Sequence, residues 1–374
     1  MDQGSPFDSF LPSMAFGDFR GTWFNWNSNG GLGGVNLGAS YFPAMYLLLQ
    51  LLQLISGSES SAVNILLISY LVSISIIVIY FLRKRGLPTS LMGLTLIFVS
   101  YPNLIAIVTG NFEMNVFVLL LLAAVATHYE KWGFFALCIG TATSFKLIPG
   151  IFALAAFVLI PTRLALRVLI NSTKVCFLMT LTAIFLLPGG IIDKGFDRIN
   201  VLISSTIESQ RLYTDLMVRS VAGLHYGHSL LNGIHAVFGM SILSSDIWVL
   251  VFFFVGIVWS ILAIWFMRSF HPNPSLVFGF LGCSGCLFVP TSTDYKLLYL
   301  LPAVILFMNE TAHSKSSKFL IFLLVVTIAP KPYFYIGSDP FTNANVWLNP
   351  LLMLVFQFAS VIPQLRLSIK TRRE

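Results

Sequence analysis

Long apolar runs separated by short polar breaks fill the chain from Tyr41 onward, whereas residues 1–40 are polar and aromatic-rich, with a Gly/Asn run. That first stretch, with Asp8, Asp18, Trp23 and Trp26, is too polar to cross a bilayer and carries no signal-peptide pattern. Tyr41-Phe42-Pro43 opens an apolar helix to about Ile55, short for a span and read as juxtamembrane or re-entrant. Ser56–Ser61 is a polar break. The run from about Ala62 to Leu82 is the first full span, and Arg83-Lys84-Arg85 ends it. By the positive-inside rule those cations put its end in the cytoplasm and residues 1–40 outside.

The later spans follow from that anchor. One from about Leu91 to Thr109 exits, and one from about Asn115 to His128 returns to Tyr129-Glu130-Lys131. Trp132 to Phe145 makes only about 21 Å of helix against a hydrocarbon core of ~30 Å, so Lys146 stops just below the outer surface. Leu147 to Pro161 then descends toward Arg163 and Arg167. A single long helix kinked at Pro149 would instead leave the basic C-terminus outside, against the positive-inside rule, so two short helices in a hairpin are expected. Next come a rising helix (about Val168 to Leu187), a long outer loop (Pro188 to Ser245) and a descending helix (Ile247 to Phe266) closed by Arg268. A rising helix (Leu276 to Val289), an outer turn (Pro290 to Lys296), a pair of helices around His313–Lys318 and a last helix (Val346 to Ile362) complete the pattern. The expectation is one all-α, polytopic integral membrane domain over 1–374. Its outer loop and juxtamembrane helix occupy 1–60, about eleven crossings occupy 61–365, and a basic cytoplasmic tail occupies 366–374.

Composition agrees. Of 374 residues, 56% are hydrophobic and 10% charged, with a mean hydropathy of +0.84, far from the ~25% charged content of soluble domains. The net charge of +7 is spread over short loops and the tail, which is the pattern of cytoplasmic loop charge and gives nucleic acid no basic domain. Cys138, Cys176, Cys283 and Cys286 all lie in apolar segments and suggest no disulfide framework. The Cys283-x-x-Cys286 pair sits in "LVFGFLGCSGCLFV", where small residues for close helix packing explain it better than metal or redox chemistry.

The polar stretches fall on one side: residues 1–40, 110–115, 146, 188–245, 290–296 and 331–345. A transporter would be expected to carry polar groups toward the midplane and both faces, whereas an enzyme working at one leaflet would not. Lys146 is the most conspicuous of them, one cation in some thirty otherwise apolar residues from Trp132 to Pro161. A charge at membrane depth costs at least about 2.5–3.5 kcal/mol, so it either snorkels to the interface or meets an anion. Asp18, in "SMAFGDFRGTWFNWN", is flanked by aromatics that can raise a carboxyl's pKa toward general-base duty, although an ordinary loop aspartate is the plainer reading. Asp8 is the other candidate of that segment. Asn111 and Glu113 form an outer turn in which helix capping alone could explain the glutamate. "GLHYGHSLLNGIH" offers His225, His228 and Ser229, with His235 further on. No carboxylate completes a metal set there, so phosphate or sugar contacts and local packing are the readings kept, and no metal or cofactor is expected. Asp294 and Tyr295 start a helix at the outer surface, where Asp294 either caps the helix or lines the same cavity.

Five pieces in order resemble the membrane glycosyltransferases of the GT-C superfamily, most closely glycosyltransferase family 87, the polyprenol-phosphate-mannose-dependent mannosyltransferase-like proteins. They are "GDFRGTW" with "YFPAMYLLL", "YPNLIAIVTGNFEMNVFVLLLLA", "GTATSFKLIPGIF", "GLHYGHSLLNGI" and "TSTDYKLLYLLPA", together covering most of residues 15–310. The resemblance implies a GT-C-like helical bundle with outer-face juxtamembrane helices, in a multi-pass protein of the cell membrane. It also implies inverting transfer of a mannose-like hexose from a polyprenyl-phosphate donor to a lipid or glycan acceptor among the membrane lipids. Carried over by motif, Asp18 is the base, and Lys146 balances the donor phosphate. Asn111, Glu113, His225, His228, Ser229, Asp294 and Tyr295 are the accompanying substrate contacts. Two departures stand out. The superfamily normally places a transmembrane helix before the first outer loop, so export of residues 1–40 is expected to rely on the 62–82 span. The turn "YGHS" also carries Gly227-His228 where Asn-Gln is expected. The rival readings are a lipid-linked-sugar flippase or transporter, for which Asp18 could be asparagine, and an inactive member of the family.

Overall fold

The computed structural model describes residues 15–28, 31–32, 41–239, 246–270, 272–290, 292–310, 315–329, 335–336 and 342–371; Asp8 lies outside them. The chain is an all-α membrane bundle whose described strands are one two-residue pair. The first elements are α1 (Gly17–Ser28), α2 (Met45–Ser56) and α3 (Glu59–Leu82). Gly57 ends α2 in the left-handed region at φ +66°, and the Ser58 hydroxyl caps α3. α3 runs 24 residues into a 3₁₀ turn of Arg83–Arg85.

The expected single span over 91–109 is two helices, α4 (Leu87–Val99) and α5 (Tyr101–Thr109), bent by 58° at Ser100. Pro102 has no amide to bond back to Phe98, and Ser100 is extended at ψ 137°. α6 (Glu113–His128) and α7 (Trp132–Phe145) follow, and at Lys146 the chain goes extended (φ −156°, ψ 136°). A 3₁₀ segment (Ile148–Leu154) and α8 (Ala155–Leu159) come next. A methyl group on Gly150 would stand 3.2 Å from Thr143, seven residues back, where a continuous helix would separate the two by about 10 Å. The chain therefore turns back at Lys146, as the hairpin reading requires.

α9 (Thr162–Leu186) packs along α7, and Gly140 permits the approach: a methyl there would meet Val175 at 2.7 Å. The stretch expected as a long outer loop is mostly helical where described: α10 (Ile191–Lys194), α11 (Arg198–Thr214), a π-helical turn (Asp215–Arg219), α12 (Val221–Tyr226) and α13 (Leu230–Phe238). These helices are too polar or too short to span, so hydropathy alone reports them as a loop. α14 (Asp246–Met267), α15 (Pro274–Leu287), a 3₁₀ segment (Asp294–Leu300), α16 (Leu301–Asn309) and α17 (Lys315–Ile328) lead to the pair β1 (Tyr335–Ile336) and β2 (Thr342–Asn343). α18 (Asn345–Thr371) is last.

Burial separates inner from outer helices. Every residue of α15 from Ser275 to Leu287 is buried, whereas α14 exposes Ile247, Leu250, Phe254 and Trp265, as a helix facing lipid must. The small residues around Cys283 and Cys286 are used for contact: a methyl on Gly279 would lie 2.6 Å from the Phe356 ring, and the Cys286 thiol donates to the Lys296 carbonyl at 3.4 Å. Among the described residues three segments, Glu59–Arg85, Thr162–Lys194 and Ile247–Phe270, are long and apolar enough to cross a membrane, or four with the bent pair. Seven shorter apolar helices accompany them, because the breaks that shorten them sit where polar side chains gather.

Candidate functional site

The site is assembled from helix ends. Phe16, at φ +61°, donates its amide to the Val108 carbonyl at 2.7 Å and accepts from the Arg20 amide at 2.8 Å, which hooks the start of α1 onto the end of α5. Gly110 ends α5 at φ +66°, where a methyl would stand 2.9 Å from the Phe19 Cβ, so glycine alone suits the position. Asp18 thereby lies over the α5–α6 turn.

Asn111 joins the pieces. Its Nδ2 donates to Asp18 Oδ2 at 2.7 Å, and its Oδ1 accepts from the Tyr41 hydroxyl at 3.0 Å and the Glu113 amide at 2.8 Å. Glu113 stands in the first turn of α6, but its fully buried carboxylate does more than cap: it accepts from Lys146 Nζ and, at 2.8 Å, from the Tyr299 hydroxyl. Lys146 is buried beside that carboxylate, with Nζ 5.1 Å from the Tyr41 ring centre and 5.5 Å from that of Tyr295. The snorkelling alternative therefore gives way to an ion pair inside the protein. The Tyr295 hydroxyl in turn meets that of Tyr213, on α11, at 2.7 Å.

A second arm reaches the same place. Asp294 accepts from the Tyr101 hydroxyl at 3.1 Å and meets His228 Nε2 at 2.5 Å, while Asn349 Nδ2 donates to His228 Nδ1 at 3.1 Å. The Asn349 contact leaves the imidazole hydrogen on Nε2, directed at Asp294. His228 is held there because its amide donates to the Ser292 carbonyl at 3.0 Å and Gly227 bridges Thr293. Ser229 sits apart from this arm: its hydroxyl caps α13 in a capping box with Asn232. His225 belongs to α12, and its side chain lies outside the described residues. Among the described residues no three His, Cys, Asp or Glu side chains are grouped so as to hold a metal ion.

Asp18 is exposed at the edge of this cluster yet crowded by protein, and that crowding raises its carboxyl above the ordinary 3.8. The hydrogen bond from the Asn111 amide and the Lys146 charge oppose the rise. Beside the cluster opens a cavity of about 480 Å³ between the 148–154 segment, α14 and α15. Its walls are apolar, with Ile148, Ile151, Phe253, Ile257 and Phe288 among them, and its charged lining residues are Lys146 and Lys296. Leu147, Leu250 and Phe253, all exposed, stand at its margin on the side of α14 that faces lipid. The arrangement thus offers a carboxylate that can take a proton, two ammonium groups that can balance an anion, and an apolar slot for a chain.

Sequence reasoning singles out Asp18, Asn111, Glu113, Lys146, His228, Asp294 and Tyr295, and these fall in one neighbourhood. It misses Lys296, although the charge argument used for Lys146 applies equally to a lysine two residues past Asp294. It also misses Tyr41, Tyr101, Tyr213, Tyr299 and Asn349, for which the sequence holds no local signal. None of the curated proteins matches the chain. The model of glycosyltransferase family 87 matches residues 40–290, two-thirds of the chain and most of the segments that build the cluster and the cavity. On that match the protein is a membrane glycosyltransferase and belongs to glycosyltransferase family 87.

Proposed function

We propose that the protein moves a mannose-like hexose from a polyprenyl-phosphate donor to a hydroxyl of a lipid or glycan acceptor, with inversion, at the outer face of the cell membrane. The observation that carries the reading is the apolar cavity lined by two buried lysines, next to the carboxylate-bearing cluster. A polyprenyl tail suits the apolar walls, and its phosphate suits the Lys146 and Lys296 side chains. The acceptor hydroxyl then attacks the sugar anomeric carbon from the side opposite the phosphate and gives its proton to Asp18. The raised carboxyl pKa favours that transfer. As the anomeric C–O bond breaks, negative charge builds on the phosphate, where the two ammonium groups stabilise it more in the transition state than in the ground state. Asp294 and His228 support the surrounding helix ends, and Tyr295 borders Lys146.

The test is transfer of radiolabelled sugar from a polyprenyl-phosphate donor by purified protein, wild type beside Asp18→Asn. Loss of a general base lowers the rate by roughly 10²–10⁴-fold, while the substituted amide oxygen can still accept the Asn111 hydrogen bond and so preserve the fold. Near-wild-type turnover by Asp18→Asn would remove the catalytic assignment. Donor binding without transfer by either protein would favour a carrier of lipid-linked sugar.

A further inference from the structure

Glu113 is placed oddly for a residue that serves the donor. It is fully buried, stands behind Lys146 rather than on the cavity wall, and presents a full negative charge to the cation that the donor phosphate would use. Lys296, the second cation of the cavity, lies within electrostatic reach of both. Burial and the neighbouring Lys146 charge push the Lys296 ammonium down to about 7, so near neutral pH the lysines alone carry between +1 and +2, and Glu113 behind them takes one unit away.

The reaction changes the charge of what occupies this place. The donor is a phosphodiester carrying one negative charge. Attack forms the acceptor O–C1 bond and breaks the C1–O–phosphate bond. The acceptor proton passes to Asp18, and the polyprenyl phosphate leaves as a monoester of charge about −1.5 to −2 near neutral pH. Unopposed lysines would therefore hold the product more tightly than the substrate and slow its departure, a step that limits many enzymes. We infer that Glu113 is a built-in counter-anion that tunes the Lys146–Lys296 pair to a singly charged phosphodiester and lets the more highly charged lipid phosphate go. This inference rests on the donor reading above and assigns Glu113 a positioning and charge-setting part, with no contact to the reacting atoms. Tyr299 holds the other carboxylate oxygen, by a hydrogen bond of 2.8 Å.

The test uses two soluble probes, farnesyl phosphate and its methyl diester, which share a tail and differ in charge. Their affinities are measured by calorimetry on the full chain in detergent, for wild type and Glu113→Gln. Removing the counter-charge should tighten farnesyl phosphate on the order of tenfold and the diester by about threefold, because the gain scales with ligand charge. In a transfer assay the same variant should show stronger inhibition by farnesyl phosphate and a lower kcat, with a donor KM no higher than wild type. An unchanged affinity ratio between the two probes would overturn the inference while leaving the donor reading intact. Weaker binding of both probes by Glu113→Gln would overturn it too, by showing that the carboxylate only orients Lys146. If neither probe binds wild type, both the inference and the donor reading fall. Should Glu113→Gln not fold, the double variant Lys146→Met, Glu113→Gln strands no charge and removes one unit of each sign, so it should keep the wild-type affinity ratio between the two probes; a ratio shifted toward the diester would overturn the inference.

Discussion

Replacing Lys146 by methionine separates what the buried ion pair does for the fold from what it does for the reaction. Methionine keeps most of the lysine stem, so the packing against Tyr41 and Tyr295 survives and the charge alone is lost. Glu113 is then left with the Tyr299 hydroxyl as its remaining side-chain donor, while its side chain has no exposure to water. Breaking a buried pair by removing one partner costs roughly 3–5 kcal/mol, because the surviving charge is stranded. At about 1.4 kcal/mol per decade, that lowers the folding equilibrium constant by two to almost four orders of magnitude. Lost cation–π contact adds on the order of 1 kcal/mol. The double variant Lys146→Met, Glu113→Gln removes both charges and lets the amide keep the Tyr299 bond, so it should recover most of the loss and leave about 1–2 kcal/mol. Unfolding in mixed micelles, followed by tryptophan fluorescence for wild type, the single variants and the double, gives the coupling energy directly. Both Lys146 variants should lack donor-dependent transfer, however stable they are. A single-variant cost below about 1 kcal/mol, or a double variant no more stable than the single, would show that the pair is screened by water and that the buried-charge reasoning is wrong.

Two further outcomes are expected from the same cluster. The Asp18 carboxyl must be ionised to take a proton, so transfer should rise with pH through a pKa above 3.8. Asn111→Ala removes a donor that favours the ionised form, so the acidic limb of the pH–rate profile should move further up; a limb that stays put or moves down would refute the Asn111 role. His228→Leu leaves one oxygen of the buried Asp294 carboxylate without its 2.5 Å partner, which should cost about 1–3 kcal/mol in the same unfolding assay; a neutral effect would show that the His228–Asp294 contact does not support the fold.

Much of this can be read from one sequence because charges and prolines stand out in apolar surroundings. Arg83–Arg85 marks the end of α3, and Lys146 followed by Pro149 marks the turn between two short helices, with α7 falling on Trp132–Phe145 as expected. What fails is whatever depends on residues far apart. Glu113 looks like a helix cap because its partner, Lys146, is 33 residues away, and nothing local distinguishes an ion-paired carboxylate from a capping one. A local signal is also passed over: Pro102 splits the 91–109 run, where hydropathy alone reads one span. Helices of the 188–239 region read as loop because hydropathy reports only segments of spanning length. Tyr213 reaches the site from one of them, carried by packing that no spacing rule describes.

The same breaks explain why a bundle with so few full-length spans among its described residues can still be a membrane protein. Irregular backbone is tolerated at membrane depth only where protein or a cavity surrounds it, because lipid offers no hydrogen-bond partners. At Lys146 the freed groups are met internally: the Phe42 amide donates to the Phe145 carbonyl at 3.1 Å, and the Lys146 amide reaches the Ala142 carbonyl at 3.1 Å. At Asp294 the 3₁₀ segment is tied by the Lys296 amide to the Thr293 carbonyl at 2.9 Å. Both breaks bring a lysine to the wall of one cavity, and the turn at Gly110 brings Asn111 under Asp18. A full-length helix at any of these points would satisfy its own backbone and carry its polar side chain away from the others. Shortening the helices is therefore what makes the site, and the buried ion pair is what holds the shortened ends together.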